Sequence, residues 1–70
     1  MWIRSQDLRI LTETHDLEVD SANQIWGSGS LLGEYSTERK ALTVLNEIES
    51  WFPFQDDDIF HMPPDDMVEV

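Results

Sequence analysis

From residue 36 to residue 53 the chain carries one long helical signal, and the rest of the fold has to be arranged around it. Ser36 or Thr37 supplies a hydroxyl cap, and Glu38 places a negative charge in the first turn. Ala41, Val44, Leu45, Ile48 and Trp51 or Phe52 then recur at intervals of three and four, the pattern of a helix with one buried face. Pro53 halts it, because the residue before a proline disfavours helical backbone angles. The spacing predicts a helix over about 37–52.

The preceding residues follow a different period. Apolar residues come in short groups separated by turn formers, at 2–5, 8–12, 24–26 and 31–35, while Leu17 and Val19 alternate with Glu18 and Asp20 as in a strand with one wet face. Gly27-Ser28-Gly29-Ser30 permits the positive backbone angles of a tight hairpin. Beyond the helix, Ile59, Phe60, His61 and Met62 allow a last short strand, confined to an edge by Pro63 and Pro64. The expectation is an α+β domain over 1–62, an antiparallel meander of three or four strands packed on one helix, with 63–70 as an acidic tail.

A chain of 70 residues supports one core that is only marginally sufficient, so burial against a partner or a second copy matters. Cysteine is absent, which removes disulfides, thiolate metal sites and thiol nucleophiles and suits the reducing cytoplasm. No apolar run approaches the roughly 20 residues that cross a bilayer. His15 and His61 stand apart from each other and from any metal motif, and the consecutive Asp56, Asp57 and Asp58 lack the spacing of a calcium loop. No nucleophile elbow or phosphate loop is present, and a chain this short leaves little room for an enclosed pocket. Neither catalysis nor a cofactor or metal is expected.

Charge carries the functional signal. Fifteen acids face four bases, a formal net charge of −11. The bases Arg4, Arg9, Arg39 and Lys40 all precede Ala41, so the first forty residues sum to −3 and the remainder to −8. Such a chain repels nucleic acid and attracts proteins that bind it. The candidate contact residues are Glu47, Glu49, Asp56, Asp57, Asp58, Asp65 and Asp66, a row of carboxylates in place of phosphates. Phe54 and Phe60 flank the Asp triplet as candidate aromatic anchors. The alternative is an interaction or regulatory module, homodimeric through a sheet edge, whose acidity only confers solubility.

The opening Met1-Trp2-Ile3-Arg4-Ser5-Gln6-Asp7, the stretch Leu32-Gly33-Glu34-Tyr35-Ser36-Thr37-Glu38-Arg39-Lys40-Ala41-Leu42 with Val44-Leu45 and Glu47-Ile48, and Phe60-His61-Met62-Pro63 resemble a family of short proteins from Gram-positive bacteria, their phages and prophages. The resemblance covers both ends and the helix, roughly half the chain, and leaves 13–30 outside it. It implies a mobile-element setting and no particular activity. Small acidic proteins of that setting resemble, as a class, anti-CRISPR and anti-restriction inhibitors that act as DNA mimics. The expected partner is the basic nucleic-acid channel of a host defence nuclease, foremost a type II CRISPR effector.

Overall fold

The computed structural model describes residues 1–51 and 59–69. Among the described residues six short strands and one α-helix form an α+β fold: β1 (Trp2–Arg4), β2 (Leu11–Glu13), β3 (Leu17–Val19), β4 (Gln24–Gly27), β5 (Ser30–Glu34), α1 (Glu38–Trp51) and β6 (Ile59–His61). The strands divide into two three-stranded sheets in place of a single meander. One is the antiparallel β3-β4-β5; the other has the order β2-β1-β6, with β2 antiparallel and β6 parallel to the central β1. β6 is an edge strand, and Pro63, which has no N–H, follows soon after it.

Local chemistry explains the elements. Thr37 caps α1, its hydroxyl accepting from the Lys40 N–H at 3.1 Å, and the next turn begins with Ala41 N–H donating to the Thr37 carbonyl at 3.2 Å. Ala41, Val44 and Ile48 are fully buried, as the periodicity predicts, and each Val or Ile contributes roughly 1.5–3 kcal/mol by leaving water. The β4–β5 hairpin turns through Ser28 and Gly29, both with positive φ (52° and 77°), the mirror-image turn whose twist suits a two-residue hairpin. The β3–β4 turn is held by Asp20, whose carboxylate Oδ1 accepts the N–H groups of Ala22 and Gln24 at 2.9 Å each.

The core lies between the inner faces of the two sheets and α1. Ile3 and Phe60 come from one sheet, Ile25 and Leu32 from the other. α1 crosses β3 and β4, and its last described turn reaches β6 through an edge-on contact of Trp51 with Phe60, ring centroids 5.2 Å apart.

The segment expected as a tail is tied to the domain. Val68 is a core residue, Asp65–Met67 forms a 3-10 turn, and the Pro63 carbonyl accepts from the Tyr35 hydroxyl at 2.8 Å. The bond that anchors it joins Asp65 to the start of α1: the Ser36 N–H donates to Asp65 Oδ1 at 2.7 Å, and the Lys40 ammonium donates to the Asp65 carbonyl at 2.9 Å. A carboxylate at a helix N-terminus is well placed against the macrodipole, so this acid serves the fold.

Candidate binding surface

The strand pattern around residue 18 determines which side chains face outward. Leu17 and Val19 turn inward against the core, so Glu18 and its alternating neighbours Asp16 and Asp20 turn outward. Register places Glu18 beside Trp26, Trp26 beside Leu31, and Gln24 beside Glu34. The outward face of β3-β4-β5 therefore carries a half-buried Trp26 between Glu18 and Leu31, with Asp16, Asp20 and Glu34 further along it. Gln24 Nε2 donates to Glu34 Oε1 at 2.7 Å across this face.

Trp26 is held in orientation. Its indole Nε1–H donates to Asp20 Oδ2 at 2.8 Å, while the other oxygen of the same carboxylate is engaged by the turn. The Gln24 N–H foremost, then the indole N–H, keeps the Asp20 carboxyl below its usual range, so it stays anionic. Beside Trp26 lies an open cleft of about 560 Å3, bounded by His15, Asp16, Glu18, Ser28 and Gly29. A chain this short is expected to have little room for an enclosed pocket, and this cleft reaches its size by being open to solvent. On the far side of His15 and Leu17 a smaller one, about 250 Å3, is bounded by Leu45, Asn46 and Glu49 of α1.

The four bases lie elsewhere. No Lys or Arg occurs between Arg9 and Arg39, the stretch that contains all of β3-β4-β5 and six acids. Arg4 belongs to β1 and donates from Nε to the Leu8 carbonyl at 2.8 Å; Lys40 is paired with Asp65.

The residues singled out from sequence are dispersed by the fold. Phe60 is 4% exposed and packed on Trp51, so it is a core residue and not a surface anchor. Asp65 is occupied by Ser36 and Lys40, and the Ser36 N–H is the main reason its carboxyl sits below the usual range. Glu47 and Glu49 are both exposed but diverge: Glu47 acts on the Tyr35 hydroxyl, whereas Glu49 borders the cleft near His15. Asp66 is exposed on the 3-10 turn. Phe54, Asp56, Asp57 and Asp58 lie outside the described residues. Among the described residues no group of three or more His, Asp or Glu is placed to hold a metal ion, and no helix is long and apolar enough to cross a membrane.

Sequence reasoning missed Asp16, Glu18, Asp20, Glu34 and Trp26 as a group. Two signals pointed to them: the acid at every second position from Asp16 to Asp20, and the base-free stretch between Arg9 and Arg39. No family model, curated protein or solved structure matches the chain.

Proposed function

We propose that this chain is a non-enzymatic acidic binding protein that occupies the basic nucleic-acid-binding surface of another protein, in the fullest form as an inhibitor of a host defence nuclease such as a type II CRISPR effector. The observation that carries the reading is the outward face of β3-β4-β5, which carries Asp16, Glu18, Asp20 and Glu34 together with one tryptophan and to which no strand supplies a base. Alternate residues on a strand stand about 6.6 Å apart, so Asp16, Glu18 and Asp20 form an evenly spaced row of carboxylates. The resemblance to short phage and prophage proteins fits the same role in a bacterial cytoplasm. Electrophoretic mobility shift tests it: the protein should displace duplex or guide-paired DNA from basic nucleases, with potency falling steeply as salt rises. A panel of such nucleases whose DNA binding is untouched at low salt would sink it.

A second reading, a homodimeric interaction module, has one observation in its favour. The outward face of β2-β1-β6 exposes Trp2, Leu11 and Ile59, each more than a third accessible. Sedimentation at high salt, where mutual repulsion of the −11 chains is screened, distinguishes it: a stable dimer supports it and a monomer at millimolar concentration ends it.

A further inference from the structure

Acidity alone attracts any cation, but the cleft beside Trp26 adds shape and an aromatic wall to the charge. Its flank is Trp26, whose ring cannot swing away while Nε1 is bonded to Asp20. Glu18 is the cross-strand neighbour of Trp26, and Asp16 lies next along the same outward row. The Ser28-Gly29 turn also borders it, and open space surrounds the position a Gly29 Cβ would take. The opening of about 560 Å3 is within the range of side-chain and small-ligand sites.

We propose that this cleft receives an arginine side chain of the partner protein, its guanidinium stacked on the Trp26 indole and its N–H edges donating to Glu18 and Asp16. This rests on the acidic-binder reading and names what that surface recognises. The choice of arginine follows from the geometry. A planar guanidinium stacks its face on an aromatic ring and holds a fixed fork of donors along its edge, whereas an ammonium is a compact, strongly hydrated point charge with no face to stack. Charge complementarity favours it on this face, because Arg4 and Arg9 belong to the chain that forms the other sheet, Arg39 to α1, and Lys40 is paired with Asp65.

The test uses the full chain and three short peptides, Gly-Ser-X-Ser-Gly with X arginine, lysine or citrulline, the last being the neutral isostere of arginine. Amide and indole resonances of isotope-labelled protein are followed during titration. The arginine peptide should move the Trp26 indole signal together with Gly27 and Gly29, lysine should bind roughly fivefold more weakly, and citrulline should not bind. Glu18→Gln and Asp16→Asn, exposed and isosteric, should each weaken arginine binding severalfold, and Trp26→Phe should abolish the preference over lysine. Equal affinity for the three peptides, no movement at Trp26 and Gly29, or unchanged binding by Glu18→Gln would overturn the proposal. Failure here is separable from failure of the parent reading: a basic nuclease retained at low salt by wild type and equally by Trp26→Phe and Glu18→Gln leaves the acidic binder standing and removes the arginine cleft.

Discussion

Asp20 and Trp26 are joined side chain to side chain, indole N–H to carboxylate at 2.8 Å, while the same Asp20 also closes the β3–β4 turn through Ala22 and Gln24. One residue therefore sets both the hairpin and the orientation of the aromatic at the centre of the acidic face. Asp20→Asn should lower the melting temperature and broaden the Trp26 indole resonance. The turn and indole bonds hold the Asp20 carboxyl below its ordinary 3.8, the Gln24 N–H contributing most. A carboxyl depressed in the folded state stabilises above the unfolded value and loses that contribution as pH falls through the folded one. The gap in melting temperature between wild type and Asp20→Asn should thus be constant near neutrality and close below about pH 3.8, which a paired melting series measures.

Tyr35 is the single tyrosine of the chain, so its ionisation can be read from phenolate absorbance without ambiguity. Burial foremost, then the charges of Asp65 and Glu47, raise it well above the ordinary 10.0. Folded protein should show little phenolate at pH 10–11, and stability should decline from about pH 10 upward as the unfolded state ionises first. Glu47→Gln should bring the midpoint down only in part, since burial remains.

Gly27 and Gly29 are required for different reasons, and alanine at each tests them separately. A Cβ on Gly27 would stand 2.8 Å from Leu17 Cδ2 and 2.9 Å from Leu32 Cδ1, overpacking that costs about 1–3 kcal/mol. Gly29 has open space around it but a φ of 77°, so alanine there costs about 1–2 kcal/mol through the backbone alone. Denaturant unfolding should find both destabilised, with Gly27→Ala also shifting the methyl resonances of Leu17 and Leu32 and Gly29→Ala leaving them in place.

Charge reversal at two pairs of sites separates location from total charge. Glu18→Lys with Glu34→Lys, and Asp57→Lys with Asp58→Lys, both change −11 to −7, since each reversal adds two charges (−11 + 4). If the β3-β4-β5 face makes the contact, the first pair should reduce retention by a basic nuclease at least tenfold more than the second. The reverse order would return the site to the Asp triplet.

The helix was legible because its signal is local: a cap at Thr37 and apolar residues at Ala41, Val44 and Ile48 need no information from elsewhere. β3, β4 and the Gly27–Ser30 turn were legible for the same reason. The partition into two sheets was not, because strands of three residues such as β1 and β6 carry no mark of which neighbour they will choose. Charge misled in a related way. Counted along the chain, the first forty residues look nearly balanced, but Arg4 and Arg9 fold with one sheet while Asp16, Glu18 and Asp20 face outward on the other. Asp65, which looked free in an acidic tail, is spent at the helix start, and Phe60 is buried because an apolar residue on β6 has a core to enter.

The parallel pairing of β1 with β6 also sets an order of assembly. It brings Trp2 beside Ile59, and the Gln6 side chain reaches the Pro63 carbonyl across 57 residues of chain. The β4–β5 hairpin closes through two residues, an event on the scale of about 1–10 μs. Closing the long loop must await the late segment and carries its entropy cost before any reward. A growing polypeptide can thus pair the strands that bear Trp26 and its carboxylates before β1 finds its parallel neighbour, so the acidic face does not wait for the C-terminal segment.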